Sequence, residues 1–270
     1  PYCEVAWHQL GKMYLAKNLY LEALTAFDFA VISDDSFIGA YFEKGKVLEK
    51  LGRYNEAIEN YESTISIEDP TSYAFLRLGK CHEKLGNFDL AKYYYYHTVH
   101  EDPLLDKGWL AITDFHFGQK NYEKALYYIN KAINIDGENP KYWKKAAKIY
   151  FALNNYDEAD FTYKQAVDLG NYELSTWKNW AEVLNKIGDY NSAIQVLIQG
   201  LEFYPDNSEL TYKLAGIHLK NNDLDEAKSI LSKAMKVDIG KLQQFEKEFP
   251  EFIEVDWVKA LVSKIKRTAK

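Results

Sequence analysis

Seven alanines, Ala23, Ala57, Ala91, Ala125, Ala159, Ala193 and Ala227, stand 34 residues apart along a chain of 270 residues. Three residues before each stands a large apolar side chain: Tyr20, Tyr54, Phe88, Tyr122, Tyr156, Tyr190 and Leu224. A period of that length means one structural unit repeated, and each unit then packs on its neighbours instead of around a common centre. Length alone suggests one or two globular domains, and the period overrides it.

Each unit reads as two helices. In the first, Trp7, Leu10, Gly11 and Tyr14 share one face at helical spacing. The leading ring recurs as Tyr41, Phe75, Trp109, Trp143 and Trp177 and ends as Thr211, while the small column runs Gly11, Gly45, Gly79, Thr113, Ala147, Ala181 and Ala215. Large residues plug and small ones receive. The first helix is expected to end where a residue tolerates positive φ, at Asn18, Gly52, Gly86, Asn154, Gly188 and Asn222, with Lys120 the exception. The second helix runs from the ring before the alanine to Phe27, Tyr61, Tyr95, Ile129, Tyr163, Leu197 and Leu231. A proline inside a helix costs on the order of 3 kcal/mol. All six, Pro1, Pro70, Pro103, Pro140, Pro205 and Pro250, fall outside the expected helix interiors.

This pattern of Trp, Leu-Gly, Tyr, Ala, Phe, Ala and Pro resembles the tetratricopeptide repeat in seven units, at about 4–37, 38–71, 72–105, 106–139, 140–173, 174–207 and 208–241. The resemblance implies an all-α, right-handed superhelical solenoid of helix-turn-helix units. Local departures are Lys44 in place of leucine, the large Trp180, and Thr211 in place of the ring. Lys44 is expected to expose a charge at a seam, and the other two to repack it. Beyond Lys241, residues 242–270 read as a broken helix and an amphipathic capping helix ending in Lys264, Lys266, Arg267 and Lys270.

A formal net charge of −7 argues against broad nucleic-acid binding. Two cysteines, Cys3 and Cys81, cannot build a disulfide framework and fit a reducing, cytoplasmic setting. No apolar run reaches the roughly 18 residues that membrane insertion needs. The chain opens at Pro1 and enters its first unit almost at once, so it reads as a piece of something longer.

Nothing resembles a catalytic constellation. His82, His116 and His218 share one packing column with Tyr14, Leu48, Tyr150 and Leu184. His97 and His100, or Cys81 beside His82, lack a second pair to complete a metal site, and no phosphate loop or nucleophile elbow is present. No cofactor and no catalysis are expected. In the run Tyr93 to Tyr96, two rings are expected to pack and two to face out.

What remains is a binding surface for a protein or peptide. The resemblance implies that first helices line a concave side. Residues off the packing columns there include Arg77, Leu110 and Phe117, then Lys141, Lys144, Lys145 and Lys148, then Lys178, Asn179, Lys213 and Lys220, opposed only by Glu182 and Glu209. Positive charge in one half of the groove predicts an acidic segment or a terminal carboxylate as ligand. A plain solvated face is the competing reading. Some proteins of this family clamp a chaperone's terminal carboxylate with lysines and asparagines. Lys144, Asn179 and Lys213 match that clamp, whereas Lys148 and Glu209 depart from it, so chaperone binding does not follow. Two alternatives stay open: a docking part of a larger enzyme or envelope assembly, and self-association through end faces bearing Val5 and Trp7.

Overall fold

The computed structural model describes residues 3–68 and 71–268, with side chains up to Ser263. Pro1, Pro70 and the expected basic end at Lys264, Lys266, Arg267 and Lys270 lie outside the described side chains. The described residues form an all-α array. Its helices come in pairs: α1 Glu4–Ala16 with α2 Tyr20–Ser33, α3 Ile38–Lys50 with α4 Tyr54–Ile67, α5 Ser72–Lys84 with α6 Phe88–Glu101, and α7 Asp106–Gly118 with α8 Tyr122–Ile135. Then follow α9 Pro140–Ala152 with α10 Tyr156–Asp168, α11 Leu174–Ile187 with α12 Tyr190–Phe203, and α13 Ser208–Lys220 with α14 Leu224–Val237. The chain ends in α15 Leu242–Glu248 and α16 Asp256–Thr268. Two compact units result, Pro1–Asp136 and Gly137–Lys270, each with its own core.

The turn chemistry explains the pairing. Gly52, Gly86 and Gly188 adopt positive φ at the first-helix ends, as do Asn18, Asn154 and Asn222. Lys120, the exception in sequence, takes the same conformation at φ 58°. The repeat geometry imposes the left-handed residue there although a side chain pays for it. Side-chain caps start several helices: Thr71, Asn121, Asn139, Asp189 and Asn207 each accept a backbone N–H of the first turn.

Within each pair the small column admits the ring of the second helix. A Cβ on Gly45 would lie 2.6 Å from the Tyr61 ring, and one on Gly79 would lie 2.5 Å from Tyr95, so these glycines are required by contact. The leading tryptophans also tie down the loop before them: Nε1 of Trp109 donates to the Pro103 carbonyl at 2.8 Å and that of Trp143 to Gly137 at 2.7 Å. The departures are absorbed locally. Lys44 does not stand as a bare charge, because it pairs with Asp28 at 2.6 Å. Trp180 donates from Nε1 to Asp160 at 2.6 Å, and the Thr211 hydroxyl donates to the Asn207 carbonyl at 2.9 Å. In the tyrosine run Tyr95 is buried, Tyr93 is exposed, and Tyr94 and Tyr96 are half-buried. At the other end, Phe245, Phe249 and Val258 of the closing segment are buried in the core of the second unit.

Candidate functional site

In the first unit, α3, α5 and α7 with the starts of α4 and α6 enclose a groove of about 730 Å³. Two of its three carboxylates, Glu49 and Glu83, are satisfied from beneath, and Asp114 is the third. The Tyr61 hydroxyl donates to Glu49 Oε1 at 2.5 Å, Arg77 Nη1 donates to Glu49 Oε2 at 3.3 Å, and the Tyr95 hydroxyl donates to Glu83 Oε2 at 2.5 Å. Burial, then the adjacent carboxylate, pushes both phenols well above the usual tyrosine range. Lys50, Lys80 and Lys84 line the groove without an ion pair among the described residues. Crowding of the walls, followed by the Arg77 charge, holds Lys80 below the ordinary lysine value. Tyr54 and Phe88 supply an apolar edge. Leu110 is half-buried on the neighbouring α7, and Phe117 packs on Tyr122 with ring centroids 5.4 Å apart.

The lysines of the second unit are already engaged. Lys144, buried to 9% exposure, donates to Glu173 and to the Ser175 hydroxyl, both at 2.6 Å. Lys178 pairs with Glu209, which Gln244 also contacts at 2.8 Å. Lys213, 7% exposed, lies between Glu182 at 2.8 Å and Glu248. Desolvation lowers its pKa, and the Glu182 charge opposes that shift. Lys220 sits 3.7 Å from Glu251 and 5.5 Å from the centre of the Phe249 ring. Asn179 is half-buried near the Tyr163 hydroxyl. Lys145 and Lys148 are half-buried with partners of their own, and Lys141 is exposed.

Thus Glu173, Glu248 and Glu251 join the two acids that the sequence reading counted. Four of these contacts link residues 31 apart: Lys144 to Ser175, Lys178 to Glu209, Glu182 to Lys213 and Lys220 to Glu251. A search for opposite charges at that offset is the signal that would have found three of the ion pairs in the sequence, Lys178–Glu209, Glu182–Lys213 and Lys220–Glu251. The cavity of the first unit was missed because its lysines are interleaved with acids, and only the folded positions show which acids are held from below.

Family comparison decides the class of the chain. The tetratricopeptide repeat matches residues 38–69, 73–103 and 186–238. This is a tetratricopeptide repeat protein. Residues 106–166 match the family described as anaphase-promoting complex, cyclosome, subunit 3. No curated relative matches the chain. Among solved structures, similar folds occur in the C-terminal part of a tetratricopeptide repeat-containing protein from Cytophaga hutchinsonii (TM-score 0.71, 19% identity, 86% of this chain and 96% of that one) and in Pseudomonas aeruginosa pilF (0.65, 17%, 77% and 94%). The APC/C hetero-tetramer Cut9-Hcn1 is similar at a TM-score of 0.63 and 21% identity over 79% of this chain, which spans 42% of the matched chain. Tetratricopeptide repeats form protein-interaction scaffolds, and this array is one. No helix among the described residues is long and apolar enough to cross a membrane.

Burial of tyrosines has a measurable consequence. Tyr61, Tyr95, Tyr96 and Tyr163 are raised, Tyr212 is raised to about 12, and burial also lifts the Cys81 thiol to about 12. A raised folded-state value keeps its stabilisation below the unfolded value, which is about 10 for tyrosine, and loses it as pH rises beyond. Urea unfolding midpoints are therefore expected to fall steeply from pH 9 to pH 11, with exposed rings such as Tyr93 ionising in the folded chain and the remaining tyrosinate absorbance appearing as the chain unfolds; a flat midpoint would contradict the burial.

Proposed function

We propose that this protein is a non-enzymatic scaffold that binds an acidic or carboxylate-bearing peptide segment along its first-helix faces. The observation that carries the reading is the groove of the first unit, where Lys50, Lys80 and Lys84 have no ion pair among the described residues while both Glu49 and Glu83 are held by buried tyrosines. A carboxylate entering there meets cations whose competing acids are already bonded, and Tyr54 with Phe88 can take an adjacent apolar side chain. The row from Lys141 to Lys220 in the second unit is a separate candidate surface, on which a carboxylate ligand has to displace Glu173, Glu209 and Glu251 from their lysines.

The test uses a fluorescent peptide of alternating Glu and Leu with a free C-terminus, beside the same peptide with Gln for Glu. The acidic peptide is expected to bind in a salt-sensitive manner. Changing Lys50, Lys80 and Lys84 together to Glu weakens it by about tenfold to a hundredfold, since exposed charges contribute roughly 0.2–1 kcal/mol each and reversal adds repulsion. Equal binding of the Gln peptide would exclude the acidic preference, and an unaffected triple variant would exclude this groove. The match of residues 106–166 favours a second reading, in which the array is one subunit of a larger assembly. Its native mass in a fresh extract separates the two.

A further inference from the structure

Three apolar side chains on α2 stand where the other six repeats carry polar ones. Leu21, 67% exposed, shares its column with Asn55, Asp89, Glu123, Asp157, Asn191 and Asp225. Ile32, 75% exposed, shares its column with Ser66, His100, Asn134, Asp168, Glu202 and Lys236, and Phe29 with Ser63, His97, Lys131, Gln165, Gln199 and Lys233. The Leu21 and Ile32 columns are exposed in every repeat, so the position of α2 in the array does not account for their apolar identity. Met13 differs: its column is buried in each later repeat by packing that first-row helices share, and its exposure follows from its place in the row.

We propose that α2 pairs with α2 of a second copy of this chain about a twofold axis. Leu21, Thr25, Asp28 and Ile32 follow the 4-3-4 spacing of a helix-helix seam and lie on one exposed face. Read in either direction the face runs apolar, polar, polar, apolar. A twofold interface requires that self-complementarity, because residue i must meet residue j in both copies. In the antiparallel arrangement Leu21 meets the partner's Ile32, and Thr25 meets the partner's Asp28. Asp28 enters the seam with its charge already paired to Lys44 at 2.6 Å, which limits like-charge repulsion between copies. Phe29 flanks the seam and is held by stacking on Trp7, with ring centroids 4.8 Å apart. Trp7 is half-buried, while Val5 near it is 47% exposed.

Sedimentation of the 270-residue chain from micromolar to hundreds of micromolar tests this. The wild type is expected to reach twice the monomer mass. The double variant Leu21→Asp and Ile32→Ser introduces residues that the same columns carry in other repeats, so its helical circular dichroism stays unchanged, and its dimer weakens by about a hundredfold. Thr25→Glu, which sets a carboxylate against the partner's Asp28 and introduces the residue that the same column carries at Glu59, is expected to act in the same direction. A wild type that remains monomeric throughout overturns the proposal, as does a dimer that both variants leave intact.

Discussion

Trp177→Ala is expected to destabilise the second unit by about 3–5 kcal/mol, the range for removing a large ring from a packed core. Trp177 is 1% exposed and stacks between Tyr172, Trp180 and Phe203, with centroids 6.3, 6.3 and 5.7 Å away. Gly200 accommodates it: a Cβ there would lie 2.9 Å from the indole. The substitution leaves a void beside Gly200, and it also removes the Nε1 donor to the Tyr172 carbonyl at 3.2 Å. Trp177→Phe keeps most of the volume and is expected to cost less than half as much. Urea unfolding followed by circular dichroism measures both, and a loss below about 1 kcal/mol for the alanine variant would contradict this account of the core.

The second large effect is expected from Lys213→Glu. Lys213 is nearly buried and its ammonium is shared between Glu182 on α11 and Glu248 on α15. Reversal places three carboxylates together where one cation stood. Breaking a buried pair costs roughly 3–5 kcal/mol, and the two acids retain some water, so about 2–4 kcal/mol is expected. Because Glu248 lies on the closing segment, protection of α15 against hydrogen exchange should fall before that of α11. Adding Glu248→Lys to the variant restores opposite charges and should recover part of the loss. Lys213→Met tests the charge alone: it keeps the stem and leaves the acids free to hydrate, and its cost should be the smallest of the three. If Lys213→Glu unfolds like the wild type, the pairing contributes nothing to the closing segment.

Lys213 also shows where reading the sequence reached its limit. As one of a row of lysines along Lys141 to Lys220, it looked like available charge. The structure commits it to two acids, 31 and 35 residues further from it along the chain in opposite directions. The same holds for Lys144, another residue that matched the carboxylate clamp, since Glu173 and Ser175 engage it. The groove of the first unit, which carries the functional reading instead, depends on which carboxylates a buried tyrosine reaches. Tyr61 and Glu49 are 12 residues apart on different helices, and no local pattern states that their side chains meet.

The sequence by itself determined the class of fold, the pairs of helices and the places of the turns. Those features rest on contacts between residues a few positions apart, or one period apart in equivalent columns, and periodicity records both directly. Lys120 at φ 58° shows how strongly the repeat governs even a residue that local preference disfavours. Only the tertiary structure decided which charges remain available, because an ion pair forms between side chains of different columns on successive helices. The exposed stripe on α2 needed both: the columns reveal that Leu21 and Ile32 are out of place, and the folded surface reveals that nothing within the described residues covers them.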